Sequence, residues 1–225
     1  MEKILLSWSG GKDSALSLYE IQKSKDYEVV SLLTVITGDY DRVSMHGVPR
    51  MFIEQQAQSL SLPVEIVRIP ASCSDEEYES IMRKTLTRFK EKGVSSVVSG
   101  DIFLEGIKDY RRNNLAKLGM KGIFPLWGRS TDELAASFVS LGFRAVITCL
   151  DTILMDKNFI GRLFDRQLLS ELPPAVDPSG ENGEFHSFVF AGPVFKEKIN
   201  FTTGERVLRD SFYFCDLLPG RRGET

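Results

Sequence analysis

Apolar and polar positions alternate along the first half of the chain in blocks rather than residue by residue. Five apolar runs have the length and composition of strands: residues 3–7, 27–36, 64–69, 94–99 and 122–127. Helical spacing predicts helices between them, and the helix over residues 75–92 stops at Gly93, which suits a left-handed cap. Apolar strands that alternate with helices predict a parallel α/β sheet covered on both faces.

The pattern changes after Trp127. A capping box at Ser130 and Glu133 predicts a helix start. Further predictions are a helical stretch over 159–172, strands over 144–150, 186–190, 198–201 and 207–214, a turn at 203–204 and fraying at 219–223. We therefore expect a doubly wound parallel sheet of five strands in residues 1–127 and a smaller α+β domain in residues 128–225.

Composition and charge argue against several classes of protein. The 225 residues, 42% of them hydrophobic, suffice for two modest cores. Cys73, Cys149 and Cys215 are far apart and outside any CxxC, so neither a disulfide framework nor a zinc site is indicated, and we expect a cytoplasmic protein. A net charge of −3 gives no general case for a nucleic-acid partner. We also expect no membrane partner, because no apolar run reaches ~20 residues and the N-terminal one is too short for a signal peptide.

A phosphate-binding loop is predicted where the first strand turns into the first helix. The segment is Ser9-Gly10-Gly11-Lys12-Asp13-Ser14. Glycines allow a close approach of the backbone, and the amides and dipole of the helix start favour an anion. Lys12 adds positive charge, Ser9 and Ser14 add hydroxyl groups, and Asp13 could bind a divalent ion against the phosphates. The spacing fits neither the Walker motif nor the dinucleotide motif, and a simple helix-capping turn is the alternative.

This loop resembles the PP-loop of ATP pyrophosphatases of the adenine nucleotide alpha-hydrolase type, a HUP-like fold. The resemblance implies a sheet of order 3-2-1-4-5, and ATP and Mg²⁺ held by residues 9–14. It also implies attack at the α-phosphate with release of pyrophosphate. In that order, strands one and four flank the crevice where doubly wound sheets bind ligands. Strand four ends at Gly100 and Asp101, which we expect beside the nucleotide, although such a pair can also be an ordinary turn.

A second polar motif occupies residues 180–187, Gly-Glu-Asn-Gly-Glu-Phe-His-Ser, at the entry to a predicted strand. Its two glycines free the backbone, and Glu181, Glu184 and His186 are concentrated in one loop. Such a cluster could bind ammonium or an amine and accept its proton, because a carboxylate or an imidazole is a competent base. A polar hairpin in solvent is the alternative.

Three further residues are candidates for substrate binding. His46 is one of only two histidines, and its flanking Gly47 and Arg50 suggest a mobile substrate loop, with a surface histidine as the alternative. Arg111 and Arg112 follow Asp101 closely, so they can clamp a phosphate or a carboxylate, or simply cover a solvated helix face.

The second motif resembles the GExGE[FY]H[ST] signature of the diphthine–ammonia ligase family, whose members also begin with SGGKDS. Further matching segments are Gly100-Asp101, Pro125-Leu126-Trp127 and Ile160-Gly161-Arg162. Residues 110–116 depart from the family's YQRxRVE stretch, and residues 44–50 resemble the bacterial branch.

The resemblance implies an ATP-dependent ligase that adenylates a carboxylate, diphthine of elongation factor 2 in the family, and lets ammonia displace AMP. Glu181, Glu184 and His186 would then face the acceptor or ammonia. Because of the departures, a PP-loop ATP pyrophosphatase with another acceptor, a small metabolite or a tRNA base, remains the alternative. A nucleotide-binding regulatory module without turnover is a third possibility.

Overall fold

The computed structural model describes residues 1–220; residues 221–225 lie outside the description. A first sheet comprises six strands, β1 (Glu2–Ser7), β2 (Tyr27–Thr37), β3 (Arg42–Val43), β4 (Val64–Ile69), β5 (Ser96–Val98) and β6 (Lys121–Ile123). Its five parallel strands lie in the order β4-β2-β1-β5-β6, which is the expected 3-2-1-4-5 order counted over those five. The two-residue antiparallel strand β3 was not predicted.

Four helices connect these strands: α1 (Lys12–Ser24), α2 (Arg50–Leu60), α3 (Asp75–Glu91) and α4 (Glu105–Ala116). The strands are apolar on both faces because helices cover both, and Ile4, Leu5 and Leu6 of β1 are completely buried. Gly93 follows α3 with φ +87°, as its predicted cap requires. Among residues 1–220, no helix is long and apolar enough to cross a membrane.

The second half forms a four-stranded antiparallel sheet with short helices, as expected for an α+β fold. Its elements are α5 (Thr131–Ser140), β7 (Arg144–Asp151), a 3₁₀ turn (Lys157–Phe159), α6 (Arg166–Glu171), β8 (Phe185–Ala191), β9 (Phe201–Arg209) and β10 (Phe212–Pro219). The strand order is β8-β7-β10-β9. The helix start predicted at Ser130 is confirmed, because the Ser130 hydroxyl accepts from the Glu133 amide in the first turn of α5.

Two predictions in this half were wrong. The turn expected at residues 203–204 lies inside β9, and the chain reverses at Asp210 and Ser211 instead, so the single strand expected over 207–214 is divided between β9 and β10. Gly204 is adjacent to a register shift in β10, where glycine marks a bulge rather than a turn. The helical stretch expected over 159–172 is interrupted at residues 160–165, where the Phe164 amide bonds to the Ala145 carbonyl along β7. Only the 3₁₀ turn and α6 are helical there.

Several predicted boundaries also shift. The strand expected over 122–127 ends at Ile123, and the chain turns back as the Trp127 amide bonds to the Phe124 carbonyl. The strand expected over 198–201 begins only at Phe201. Of the segment expected to fray, Pro219 ends β10 and pairs with Phe201, and the remainder beyond Gly220 lies outside the described residues.

The position of β8 brings the two sheets together at the glycine loop. The Val189 amide donates to the Gly10 carbonyl at 2.9 Å, so β8 borders the connection between β1 and α1. One apolar cluster runs through both halves, from Leu6 to Phe188. The second motif therefore lies directly against the glycine loop.

Candidate active site

The glycine loop is held by close packing as much as by its own turn. Gly10 has φ +81°, and a Cβ there would lie 2.7 Å from Cδ1 of Ile53. At Gly11 an added Cβ would lie 3.1 Å from the Ser187 carbonyl oxygen and 3.2 Å from Cε1 of His46. A Cβ would therefore be crowded at both glycines by neighbouring backbone and side chains.

A cavity of about 240 Å³ opens where this loop, the end of β5 and the second motif meet. Of the residues predicted to form the site, the cavity lining includes Ser9, Gly11, Lys12, Asp13, Ser14, His46, Gly100, Asp101, Arg111, Glu181 and His186. Gly10, Arg112 and Glu184 do not line it. Lys12 and Ser187, 175 positions apart in sequence, thus line the same small volume.

Lys12 provides the buried positive charge of the cavity. Its side chain is 5% exposed, and its Nζ lies 2.8 Å and 3.0 Å from the two carboxylate oxygens of Asp13. Burial raises the pKa of Asp13, and the charge of Lys12 opposes that rise. The Lys12 amide donates to Oγ of Ser187 at 3.3 Å, so the first helical amide already binds the second motif. Ser14 is buried, and its hydroxyl donates to the Gly11 carbonyl at 2.8 Å.

The end of β5 meets the start of α1. A Cβ at Gly100 would lie 3.1 Å from the Cβ of Asp13, so glycine is needed for this contact. Asp101 forms an ion pair with Arg111, whose Nε lies 3.1 Å from Oδ2 of the carboxylate. Arg112 instead pairs with Asp109 on the exposed side of α4. The structure therefore brings Asp101 and Arg111 into the cavity and leaves Arg112 outside it.

Both histidines of the chain meet in this cavity. The ring centroids of His46 and His186 are 4.4 Å apart, and the ring planes are inclined by 35°. Burial lowers the pKa of His46 well below its ordinary value, and His186 and Lys12 lower it further. Burial and the charge of Lys12 lower the pKa of His186 to about 4. At neutral pH the cavity therefore presents two neutral imidazoles beside a lysine cation.

The loop that carries His46 is held beside the cavity by β3, which folds the chain back against the end of β2. Pairing of β1 with β2 ends at Leu33, and β3 pairs with the following residues Ile36 and Thr37. Arg42 then holds the loop by donating to the Gly47 carbonyl at 2.8 Å and to the Asp216 carboxylate at 2.7 Å. The side chain of His46 is only partly exposed and is not the surface histidine of the alternative interpretation.

The two glutamates of the second motif have different surroundings. Glu181 lines the cavity, and its Oε1 accepts from the Ile102 amide at 2.7 Å, which connects the motif to the loop after β5. Burial raises the pKa of Glu181. Glu184 is 2% exposed, and its Oε1 accepts from the Asp177 amide and from Nδ2 of Asn182. Glu184 therefore stabilises the loop from within rather than facing the cavity.

Sequence analysis missed a buried amide behind the glycine loop. Gln56 of α2 is completely buried and contacts Trp8, Gly10 and Val189. Gln56 lies within α2, one of the predicted helices, where a lone glutamine carries no distinct sequence signal.

Two family models match the chain. The diphthamide synthase N-terminal domain matches residues 1–122, and the diphthamide synthase C-terminal domain matches residues 130–220. This chain belongs to the diphthamide synthase family. The matches follow the two halves of the cavity, because the glycine loop lies in the first match and residues 180–187 lie in the second.

Members of the family from eukaryotes are similar to this chain over most of its length. The diphthine–ammonia ligase of Rattus norvegicus is 25% identical, over 93% of this chain and 86% of that protein. The diphthine–ammonia ligase of Schizosaccharomyces pombe is 25% identical over 96% of this chain, which spans only 38% of that protein. Among solved structures, the U34-tRNA thiolase NcsA of Methanococcus maripaludis is 16% identical, with a TM-score of 0.39 over 61% of this chain and 56% of that one.

Proposed function

We propose that this protein is an ATP-dependent ligase that adenylates a carboxylate with release of pyrophosphate and transfers ammonia to it with release of AMP. We further propose that the acceptor is diphthine of elongation factor 2. Membership of the diphthamide synthase family supports the reaction class. The observation that carries the proposal is the direct contact between the glycine loop and the second motif, made by the Lys12 amide and Oγ of Ser187.

The glycine loop has the properties of a polyphosphate site. It lies at the N-terminus of α1, where amides without intrahelical partners and the helix dipole favour an anion. Lys12 adds a buried positive charge, and its Nζ pairs with the carboxylate of Asp13. A bound triphosphate would therefore place its charge against Lys12 and the start of the helix.

A second cavity adjoins the first and can accept the nucleoside. Its volume is about 150 Å³, and it shares Ser7, Ser99 and Arg111 with the lining of the glycine-loop cavity. Apolar side chains of the sheet, of helices α3 and α4 and of the turn after α4 contribute to its lining: Leu33, Met82, Leu86, Val97, Leu115 and Leu118. A largely apolar cleft beside a polar phosphate site suits a purine nucleotide.

The residues present fit a magnesium ion bound together with phosphates. Mg²⁺ prefers oxygen ligands and is commonly held by one or two carboxylates plus substrate phosphates. Asp13 and Asp101 supply carboxylates to the cavity, and Oδ2 of Asp101, which lies 3.1 Å from Nε of Arg111 in an ion pair, accepts no hydrogen bond of good geometry from residues 1–220. When bound, the ion would neutralise phosphate charge during transfer.

The second motif supplies the groups that ammonia needs. Amide formation from ammonia and an acyl-adenylate releases one proton, so a base must lie nearby. Glu181, whose pKa is raised by burial, lines the cavity and is our choice for that base. The neutral imidazoles of His46 and His186 can accept hydrogen bonds from the amine without repelling a cation or adding one.

The test is to incubate the protein with Mg-ATP, ammonium and an elongation factor 2 that carries diphthine. We expect AMP, pyrophosphate and an amidated acceptor identified by mass spectrometry. Formation of ADP and phosphate instead would overturn the adenylation step. Parallel reactions with small carboxylic metabolites and with tRNA test the acceptor separately. If AMP forms only with one of these acceptors, the adenylation step is supported and diphthine is excluded as the acceptor.

A further inference from the structure

A single buried amide joins the glycine loop to the second sheet. Nε2 of Gln56 donates to the Gly10 carbonyl at 2.9 Å and to the Val189 carbonyl at 2.7 Å. Its Oε1 accepts from Nε1 of Trp8 at 2.7 Å. Gln56 is 0% exposed, so no water competes for these bonds. The amide thus contacts the residues on either side of Ser9 as well as β8.

Only an amide satisfies this set of partners. Two of the three are carbonyl oxygens and need donors, while the third is an indole N–H and needs an acceptor. A carboxylate of the same shape would place oxygen against both carbonyls. A side chain without hydrogen-bonding groups would leave the Trp8 N–H and the Val189 carbonyl buried without partners.

The bonds of Gln56 fix the distance between the two halves of the active site. The Gly10 carbonyl also accepts from the Val189 amide, and two residues further on the Lys12 amide donates to Oγ of Ser187. His186 immediately precedes Ser187 on β8. Any shift of Gly10 against Val189 therefore moves Lys12 relative to the imidazole of His186.

We infer that Gln56 is a positioning residue that aligns the phosphate-binding lysine with the acceptor side of the cavity. The expected effect on turnover rests on the proposed ligase function, whereas the expected effect on the backbone around Gly10 rests on the hydrogen bonds alone. Because displacements of about 1 Å can cost 100-fold in rate, loss of this alignment should reduce turnover more than nucleotide binding.

The test compares Gln56→Met and Gln56→Glu with Ser59→Ala. Ser59 lies one turn further along α2, is also buried, and its hydroxyl bonds to the backbone of Glu197 at 2.6 Å and 3.0 Å. It therefore links α2 to the second half of the chain without contacting the glycine loop. Thermal unfolding identifies a temperature at which every variant is folded, and all measurements are made there.

Two readouts decide the inference. In Gln56→Met, hydrogen exchange at the Lys12 and Val189 amides should accelerate, and kcat for amide formation should fall about 10- to 100-fold with little change in the KM for ATP. Ser59→Ala should change neither. In Gln56→Glu, the activity relative to wild type should partly recover as the pH is lowered, because a protonated carboxyl regains one donor.

Equal exchange rates and equal kcat in Gln56→Met and Ser59→Ala would overturn the inference. If the wild type forms no amide, the proposed function fails. The exchange rates of Lys12 and Val189 then decide the positioning role alone.

Discussion

Gly10 and Gly93 form a natural pair for measuring how tightly the glycine loop is packed. Both have positive φ, +81° at Gly10 and +87° at Gly93. Replacement of either by alanine imposes a similar backbone strain, of roughly 1–2 kcal/mol. Around Gly93 no heavy atom lies within 4 Å of an added Cβ, so Gly93→Ala should cost only that strain.

Gly10→Ala adds a collision to the same strain. The new Cβ would lie 2.7 Å from Cδ1 of Ile53 and 2.8 Å from Oε1 of Gln56. Both neighbours are completely buried, so neither can move into solvent. Overpacking of such a site typically costs about 1–3 kcal/mol. We therefore expect Gly10→Ala to lower the free energy of unfolding by about 2–5 kcal/mol.

The assay is equilibrium urea unfolding of the two variants and the wild type at one pH. A difference of about 1–3 kcal/mol between the variants corresponds to roughly 2–12 °C in melting temperature. Equal losses of stability in the two variants would refute the reasoning, because they would show that the contacts of Gly10 are not tight. Such a result would also weaken the placement of Gln56 behind the loop.

Three further predictions concern the cavity and the loop that supports it. Lys12→Gln should lower turnover by about 100- to 1,000-fold, measured as AMP release, while circular dichroism shows a retained fold. Glu184→Ala should lower the free energy of unfolding by about 1–3 kcal/mol in urea, because the Asp177 amide and the Asn182 side chain lose their acceptor. The stability of the wild type should fall between pH 7 and pH 5, because His46 and His186 stay neutral in the folded chain.

Local patterns were sufficient to predict the five parallel strands of the first sheet, although not the antiparallel strand β3. Uninterrupted apolar runs between helical segments specify a parallel α/β sheet, and the resemblance to PP-loop enzymes supplied its strand order. The second sheet was less predictable, because its pairings join distant segments. Gly204 illustrates the difficulty, since a glycine in a polar stretch favours a turn locally but fits a bulge once β10 lies beside it.

The site was predictable to the extent that its chemistry lies in short motifs. Residues 9–14 and 180–187 were identified from residue types alone, and the structure brings both to one cavity. The partners of those residues were not identifiable in this way. Glu184 and Glu181 have the same side chain three positions apart, yet one supports its loop and the other lines the cavity. Such a difference arises only from tertiary packing.

The pH dependence of stability provides a test that needs no substrate. In the folded chain the pKa of His186 is lowered from 6.5 to about 4, so between these values the unfolded chain binds a proton that the folded chain does not. Stability must therefore fall as the pH falls through this range. From pH 7 to pH 5 the loss amounts to about 2 kcal/mol for this one residue.

Two carboxylates of the cavity act in the opposite sense. The pKa values of Asp13 and Glu181 are raised in the fold, so protonation at low pH favours the folded chain. Asp13 and Glu181 are present in both the wild type and His186→Gln. Their contribution therefore cancels when the pH dependence of stability is compared between the two proteins. Urea unfolding at pH 7, 6 and 5 should show a stability loss about 2 kcal/mol smaller in His186→Gln. The same pH dependence in both proteins would mean that His186 is solvated, and an imidazole in water could not be the neutral partner that the cavity offers to ammonia.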